Sequence, residues 1–450
     1  MKKVITYGTF DMFHEGHRRL LQRAKDLGDY LIVGVTTDHY DDSRGKLNVN
    51  DAIMKRIENV KATGLADEII IEEYEGQKIN DIQQYDIDIF SIGSDWLGKF
   101  DYLEDYCEVI YLERTKGISS TELRAKNNGI TRLGMVGHGR IASRFIKESK
   151  YVSGINIEGV FGRTKETLKI FTEENELAFF ETDYMSFLEK IDAVYIASPH
   201  KSHYNYAKQA LENNKHVLCE KPLVLKTKEA EELYALAESK DLVLLEAIKT
   251  AYSPGFLRLV SLARSGVIGN IKHVDATFTK LSSGDLRELK AETAGGSMTE
   301  LASYPLLAIV KLLGLDIKET SFTSFFDKKE GIDLFTHMTL HYNKAIATAK
   351  VGLGVKSEGH LIISGTEGYI YVPSPWWRTE YFEVRYENFS ENKKHFYKFE
   401  GDGLRYELAE FSSMMNKKMQ HSYKLTSKES MKISSIIEEF LDKKNIQTLD

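Results

Sequence analysis

Residues 131–142 read TRLGMVGHGRIA. A short apolar run, Arg132–Val136, breaks into Gly137-His138-Gly139-Arg140-Ile141-Ala142, and a helical stretch follows. The order strand, glycine turn, helix opens a βαβ unit. In such a turn the first glycine takes the bend and the second lets a pyrophosphate approach the backbone. A small third residue, here Ala142, lets the helix pack closely on the strand. Further strands at Asn156–Gly162, Ala193–Ala197, His216–Cys219 and Leu242–Ala247 alternate with helices. That alternation predicts a parallel sheet covered on both faces.

Upstream, a separate α/β series is already complete. Lys3–Tyr7, Tyr30–Thr36 (YLIVGVT), Glu68–Glu72, Ile87–Ile92 and Glu108–Leu112 read as strands. Gly16–Leu27 and Ala52–Thr63 read as helices, and the pattern breaks at 126–130, KNNGI. Downstream of Pro254 the period changes. His273–Phe278, Thr336–His341, Ala345–Val351, His360–Ser364 and Tyr369–Val372 alternate polar with apolar residues, as in an antiparallel sheet with one open face. The expected fold class is therefore α/β. It comprises a Rossmann-like unit over 1–128, a dinucleotide-binding Rossmann domain over 131–250, and an α+β domain with a mostly antiparallel sheet over 251–450.

Bulk properties narrow the function. A chain of 450 residues exceeds one compact core. Its net charge of -7 and the lack of a basic run argue against a nucleic-acid surface. Two cysteines, Cys107 and Cys219, do not suggest a disulfide scaffold and point to a reducing, cytoplasmic setting. No apolar stretch has the length of a membrane span, so no membrane partner is expected.

Two constellations carry chemistry in the first unit. His14-Glu15-Gly16-His17 follows the first strand and begins the first helix, where free N–H groups and the macrodipole attract anions. Small Gly8 and Thr9 end the strand, and Gly16 is read as letting a phosphate come close. Alone, two histidines at this spacing fit a chance surface pair equally well. Near the end of the unit, RTKGISST at 114–121 places a basic residue, a glycine and three hydroxyls before a helix. It reads as a second phosphate cradle, or as a plain Ser/Thr cap.

Together these stretches resemble the glycerol-3-phosphate cytidylyltransferase family of HxGH nucleotidyltransferases. The resemblance covers roughly residues 1–126: GTFDMFHEGH at 8–17, AKDLGDYLIVGVTTD at 24–38, GSDWLGKFD at 93–101 and RTKGISST at 114–121. It implies attack by an acceptor phosphate on the α-phosphorus of CTP. It further implies that His14 and His17 stabilise developing charge, that Lys46 neutralises the phosphates, and that Arg56 and Arg114 hold the triphosphate. Ser119 and Thr121 would donate hydrogen bonds. Gly8, Thr9, Phe10, Asp95 and Ile118 complete the nucleotide site, and Mg²⁺ would bridge the phosphates, with Asp11 as a partner either to the metal or to a histidine. Arg44 reads as a solvated loop charge. Ser94 stands where the family often has Asp, which leaves the acceptor open.

In the second unit the second strand ends GVFGRTKE, with Arg163, Thr164 and Lys165 where NAD-preferring sites carry an acid. These residues suit a 2′-phosphate, hence NADP(H); the plain alternative is a polar turn before a helix. Ser198-Pro199-His200-Lys201-Ser202-His203 and Glu220-Lys221-Pro222 each follow a strand and so face the cofactor crevice. The series resembles the glucose–fructose oxidoreductase and inositol dehydrogenase family (Gfo/Idh/MocA). It rests on GHGRIA, on 197–223 (ASPHKSHYNYAKQALENNKHVLCEKPL), on EAIKTAYSP at 246–254, on AGGSMTELASYPL at 294–306 and on ISGTEGYIYV at 363–372.

That likeness implies that Gly137, His138, Gly139, Arg140, Ile141, Ser198, Pro199, His200, His203 and Glu220 surround the cofactor. Lys221 would polarise a substrate carbonyl. Glu300 and Tyr304, four residues apart and so on one helical face, match the family's Asp and His/Tyr pair. Tyr304 is the expected proton donor, with Lys221 lowering its pKa or sharing the relay. Glu300 replaces the usual Asp, and Ala302 the usual Gly. Lys249 and Tyr252 read equally as substrate contacts or packing.

The two chemistries converge on a ketose phosphate, which offers a phosphate for cytidylyl transfer and a ketone for reduction. The expected product is a CDP-alditol of the glycerol, ribitol or glucitol type, such as feeds teichoic-acid-like or capsular polysaccharides. The rival readings are a glycerol 3-phosphate cytidylyltransferase joined to a reductase with its own substrate, and a C-terminal half that only senses NADP. By likeness to relatives, a homo-oligomer, dimer or tetramer, is expected.

Overall fold

The computed structural model describes residues 1–11, 13–38, 40, 49, 51–74, 76–113 and 130–449, with Asp95 described in its backbone only. It divides into two compact units, Met1–Ile130 with Lys150–Ile155, and Thr131–Ser149 with Asn156–Asp450.

The N-terminal unit holds β1 (Lys3–Gly8), α1 (Glu15–Lys25), β2 (Tyr30–Thr36), α2 (Ile53–Ala62), β3 (Glu68–Glu72), α3 (Gln77–Tyr85), β4 (Ile89–Gly93) and β5 (Glu108–Leu112). Its sheet runs β3-β2-β1-β4-β5 with every pairing parallel. Period-two alternation sorts the apolar strand residues onto two faces. Val4, Leu31 and Val33 join Leu21, Ala24 and Val60 on one side. Ile5, Tyr7, Ile32 and Phe90 meet Ile82 and Phe100 on the other. Both faces are therefore covered, as the continuous apolar run YLIVGVT required.

The C-terminal unit begins with β6 (Thr131–Val136), α4 (Arg140–Ser149), β7 (Ile155–Phe161), α5 (Lys165–Glu174), β8 (Phe179–Glu181), α6 (Tyr184–Leu188), β9 (Ala193–Ile196), α7 (His203–Glu212), β10 (His216–Glu220), α8 (Thr227–Ser239) and β11 (Leu244–Ala247). The sheet order is β11-β10-β9-β6-β7-β8. There follow α9 (Pro254–Arg264), β12 (Ile271–Thr279), α10 (Ser297–Leu301), α11 (Ser303–Leu313), β13 (Glu319–Phe326), β14 (Asp333–His341), β15 (Ile346–Gly352), β16 (Leu361–Gly365) and β17 (Tyr369–Val372). The chain ends with β18 (Tyr381–Arg385), β19 (Lys393–Phe396), α12 (Leu404–Asn416), α13 (Ser427–Leu441) and β20 (Ile446–Leu449).

Strands β12 to β20 form one mixed sheet in the order β19-β18-β17-β16-β12-β15-β14-β13-β20. Only β12–β15 and β13–β20 among its pairings are parallel. Val274, Ala276, Met338, Leu340, Ala347 and Ala349 are buried on one face. The alternate residues His273, Asp275 and Thr348 make a cross-strand polar ladder, with His273 Nε2 3.1 Å from Thr348 Oγ1 and the Thr348 hydroxyl donating to Asp275 at 2.9 Å. The alternation predicted one polar face, and the ladder occupies it.

Five strands lack a clear sequence signal. β8 has three residues and β20 has four. β13 (ETSFTSFF) is diluted by Ser and Thr, while β18 and β19 carry Glu, Arg and Lys. Charges on an outer strand block edge-to-edge pairing, which hides it from a search for apolar runs.

Candidate active sites

In an open α/β sheet, ligands bind at the carboxyl ends of strands where the order reverses. In the N-terminal unit that point lies between β1 and β4, at Gly8 and Gly93. His14 is the N-cap of α1, its Nδ1 accepting the Gly16 N–H at 3.0 Å. His17 Nδ1 faces the His14 N–H at 3.4 Å, and the two imidazoles stack with centroids 3.9 Å apart. A neutral ring whose Nδ1 accepts carries its proton on Nε2. Both rings thus hold an Nε2–H donor at a helix N-terminus.

Gly16 acts differently from the sequence expectation. A Cβ there would lie 2.8 Å from the His14 ring, so the glycine makes room for its own N-cap imidazole rather than for a phosphate. Phe10 turns through the left-handed region at φ 53° and packs over Gly8, where a Cβ would come within 3.0 Å of the ring. Asp11 accepts the Asp51 N–H at 2.8 Å, which ties the loop after β1 to the approach of α2.

Arg56 departs from its expected role. Its side chain is fully buried, and Nη1 donates to the carbonyls of Thr9 and Thr36 at 2.7 Å each. Nε donates to the Asp51 carbonyl at 2.9 Å, and Nη2 pairs with Asp38. The guanidinium clamps the ends of β1 and β2 instead of reaching for a triphosphate. Arg56→Ala is expected to destabilise this unit by about 3 kcal/mol or more, since buried carbonyls lose their donors. Thermal melts of the full chain check this, and an unshifted first transition would show the clamp to be dispensable. Lys46, Arg114, Ile118, Ser119 and Thr121, with Arg44, lie outside the described residues.

In the C-terminal unit the reversal lies between β6 and β9. A cleft of about 930 Å³ opens there, with β12, α10 and α11 contributing to its wall. Gly137 sits at φ 97°, and a Cβ on it would come within 2.8 Å of the Ala197 carbonyl, so only glycine fits. Around Gly139 a Cβ would meet nothing within 4 Å. That open space beside the α4 N-terminus is a cradle of the kind a dinucleotide pyrophosphate fills. Ala142 is fully buried against the sheet. His138, Arg140, Ile141 and Arg163 line the cleft, whereas Thr164 and Lys165 are exposed at the start of α5 and do not. Ser198, Pro199 and His200 line it from the end of β9.

His203 is a strut rather than a free ligand. Nδ1 lies 3.0 Å from the Pro222 carbonyl and Nε2 lies 2.8 Å from the Ser198 carbonyl, so the ring braces the loops after β9 and β10. Glu246 supports the second loop by accepting the Leu223 N–H at 2.9 Å, and burial pushes its carboxyl up to about 7. Glu220 points inward and accepts the Tyr195 hydroxyl at 2.6 Å.

Lys221 projects from that braced loop and donates to the Glu300 carbonyl at 2.7 Å, with Nζ 5.9 Å from the Tyr304 ring centroid. Glu300 and Tyr304 both line the cleft, although α10 ends at Leu301 and α11 starts at Ser303. The Tyr304 phenol is pushed well above its ordinary value, first by burial and then by the Glu220 and Glu407 carboxylates. The expected lowering by Lys221 is thus corrected: the site keeps the phenol protonated. The Glu300 carboxylate meets Arg287 at 3.0 Å and His200 Nε2 at 3.7 Å. Burial holds His200 well below its ordinary value, so it is neutral. Tyr252 is packing, buried with its hydroxyl on the Glu246 carbonyl at 2.6 Å. Lys249 lines the cleft and donates to the Asp402 carbonyl at 2.6 Å.

Comparison with known proteins follows this division. Residues 5–126 match the cytidylyltransferase-like family, 131–247 the oxidoreductase family with an NAD-binding Rossmann fold, and 256–371 the GFO/IDH/MocA C-terminal domain. Glycerol-3-phosphate cytidylyltransferase of Bacillus spizizenii is 55% identical over 124 residues, 28% of this chain and 95% of the relative. The chain joins a cytidylyltransferase to a Gfo/Idh/MocA oxidoreductase. The oxidoreductase half is similar to scyllo-inositol 2-dehydrogenase (NADP(+)) IolU of Bacillus subtilis, 28% identical over 269 residues, 57% of this chain and 80% of the relative. Its fold matches a 3-ketoreductase from Actinomadura kijaniata solved with NADP and TDP-benzene, at 20% identity and a TM-score of 0.65, over 71% of this chain and all of that one.

The oxidoreductase cleft also contains residues that the sequence motifs do not reveal. Lys280, Arg287 and Glu288 form part of its wall, with Glu288 between Arg140 at 3.2 Å and Lys280 at 3.6 Å. They come from the stretch between β12 and α10, which has no periodicity to announce a role. Among the described residues no helix is long and apolar enough to cross a membrane.

Proposed function

We propose that the chain makes a CDP-alditol in two steps, cytidylyl transfer from CTP to a ketose phosphate followed by NADPH-dependent reduction of the ketone. The supporting observation is that one chain holds both a pair of Nε2–H donors at a helix N-terminus and a lysine facing a protonated tyrosine beside a dinucleotide cradle. A ketose phosphate offers one group to each site. In the first step a phosphate oxygen of the acceptor bonds to the α-phosphorus, the bond to the bridging oxygen breaks, and pyrophosphate leaves. His14 and His17 donate hydrogen bonds to the oxygens that gain charge, so positioning and electrostatics supply the rate.

Mg²⁺ would arrive with the triphosphate and Asp11 would be the protein's contribution to it. Among the described residues no group of three His, Cys, Asp or Glu could hold a metal alone, and Mg²⁺ ordinarily binds through one or two carboxylates plus substrate phosphates.

When bound, NADPH would supply the hydride that the second step adds to the carbonyl carbon. Lys221 orients and polarises the carbonyl oxygen as a compact point donor. Tyr304 keeps its proton at neutral pH and delivers it to that oxygen. Arg163, exposed on the cleft wall after β7, would hold the 2′-phosphate of NADPH. Arg163→Ala is expected to raise the KM for NADPH about 10- to 100-fold and to leave that for NADH nearly unchanged, the scale of one charge-assisted phosphate contact. Initial rates with both dinucleotides decide it; equal changes would remove the assignment.

A second reading has a specific observation behind it. The 55% identity to a glycerol-3-phosphate cytidylyltransferase favours glycerol 3-phosphate as the acceptor. The test is incubation of the chain with CTP, Mg²⁺, NADPH and either glycerol 3-phosphate or a ketose phosphate of three, five or six carbons, then mass analysis of nucleotide products. A CDP-alditol from a ketose phosphate supports the proposal. CDP-glycerol from glycerol 3-phosphate, with no product from any ketose phosphate, rejects it in favour of the second reading.

A further inference from the structure

One buried acid of the oxidoreductase unit has no part in the two steps above. Glu407 lies on α12, fully buried, and neither carboxyl oxygen has a hydrogen-bond partner among the described residues. Such a group avoids the cost of a bare buried charge by keeping its proton. Its surroundings give that proton a use. Helix α12 packs on α4, on β10 and β11, and on the turn Lys249–Tyr252. Leu404, three residues before Glu407 and on the same helical face, lines the cleft. Glu220, Lys249 and Tyr304 line it too. Glu407 therefore stands one helical turn behind the wall that carries the proposed proton donor.

Charged groups face Glu407 from three directions. On β10, Glu220 accepts the Tyr195 hydroxyl at 2.6 Å and feels the Lys221 and Lys249 ammonium groups. On α4, Glu148 is held by Arg405, with Nε at 2.8 Å and Nη2 at 3.0 Å. In the turn after β11, Lys249 donates to the Asp402 carbonyl at 2.6 Å and favours an ionised Glu407, which Glu220 and Glu148 oppose. The Tyr195, Tyr252 and Tyr304 phenols complete the surroundings, each kept protonated by burial. Two carboxyls that feel each other in a dry site do not both ionise. Glu220 has a hydroxyl donor and two cations, whereas Glu407 has Lys249 alone. The charge therefore stays on Glu220 and the proton on Glu407, whose carboxyl burial pushes well above its ordinary value.

Each reduction consumes one proton at Tyr304, and the phenolate left behind is unfavourable in a buried site, so the next turnover needs an acid nearby. Of the two carboxyls that bear on this phenol, Glu220 and Glu407, Glu220 is engaged by Tyr195 and Glu407 has no partner. Resting on the ketone reduction proposed above, we propose that Glu407 is an internal proton store that re-protonates Tyr304 after each hydride transfer and is refilled from the cleft through Lys249. In the first transfer the Glu407 O–H bond breaks and the Tyr304 O–H bond forms, leaving a carboxylate near the Lys249 ammonium. Lys249 then gives a proton to that carboxylate and takes one from solvent in the cleft, which its side chain lines. The net uptake is one solvent proton per turnover, and no electrons are exchanged at Glu407. While ionised, Glu407 adds its charge to the burial that disfavours phenolate, so the proton does not return. Burial lowers the Lys249 ammonium from its ordinary value, which suits an amine that must release a proton and regain it. Glu407 acts through Tyr304 and does not meet the substrate.

The experiment uses the full chain and Glu407→Gln, which keeps the shape of a protonated carboxyl but has no proton to give. CDP-ketose is accumulated with CTP, Mg²⁺ and a ketose phosphate in the absence of NADPH, purified, and mixed rapidly with NADPH-loaded chain. Glu407→Gln should oxidise one NADPH per site at the native rate, because Tyr304 starts protonated, and then slow about tenfold or more. The slow phase should weaken further as pH rises, with NADPH affinity unchanged. Lys249→Met blocks only the refilling, so its burst should hold two NADPH per site, one proton from Tyr304 and one from Glu407. A separate reading needs no substrate: the infrared C=O stretch of a protonated carboxyl should be present in the native chain at neutral pH and missing from Glu407→Gln. A first turnover slowed as much as later ones, no slow phase, equal bursts in the two variants, or no such infrared band each overturns the relay. The two readings fail separately: a native chain that reduces CDP-ketose beside a Glu407→Gln chain without a burst removes the relay alone, whereas a native chain that reduces no ketose removes both.

Discussion

Lys221→Ala is expected to lower ketone reduction about a thousandfold or more while pyrophosphate release from CTP is unchanged. The size follows from the surroundings of the ammonium. Its loop is held by His203 between two carbonyls and by Glu246 on the Leu223 N–H, so Nζ is delivered to one place, 2.7 Å from the Glu300 carbonyl. A donor positioned before reaction needs little reorganisation as the carbonyl oxygen gains charge. Lys221→Arg should recover little, because a planar fork cannot replace a compact point donor at this spot. NADPH affinity, read by its fluorescence, should stay within a few fold. A Lys221→Ala chain that reduces its substrate at near-native rates would remove the catalytic assignment, and one that loses NADPH binding as well would reduce Lys221 to a structural role.

The second large effect belongs to the other unit. His17→Ala is expected to lower cytidylyl transfer about a hundred- to a thousandfold, the scale of one lost donor to developing charge, and to spare reduction of supplied CDP-ketose. His14→Ala should lose as much transfer and, in addition, about 0.5–2 kcal/mol of stability, because His14 is also the N-cap of α1. His14→Asn separates the two contributions. Asparagine caps well, so the melting temperature should return while transfer stays low. Pyrophosphate release measured beside thermal melts of the three variants gives the answer. If His14→Asn restored both, the imidazole would be a cap and nothing more.

Much of this was legible because it depends on local spacing. The strand–glycine–helix order at 131–142 needs only neighbours in sequence, and Gly137 and Gly139 take the positions that reading gave them. YLIVGVT announces a buried parallel strand because both its faces are apolar. The roles that were misread depend on partners far away in the chain. Arg56 looks like a phosphate ligand until the carbonyls of Thr9 and Thr36, 47 and 20 residues away, are seen to occupy its guanidinium. Gly16 looks like space for a phosphate until the His14 ring folds over it. Tyr304 was expected to be acidified by Lys221, but burial beside Glu220 and Glu407 has the opposite effect.

The sequence by itself determined that two α/β units stand in one chain, which family each belongs to, and which loops stand at the carboxyl ends of strands, since strand ends and glycine turns are set by short-range sterics and periodicity. The tertiary structure alone decided what those loops meet. Only folding brings Arg287 to Glu300, Lys249 to the Asp402 carbonyl, and the buried Glu407 behind the wall that carries Tyr304. Their separations along the chain carry no period, so no local rule could have joined them.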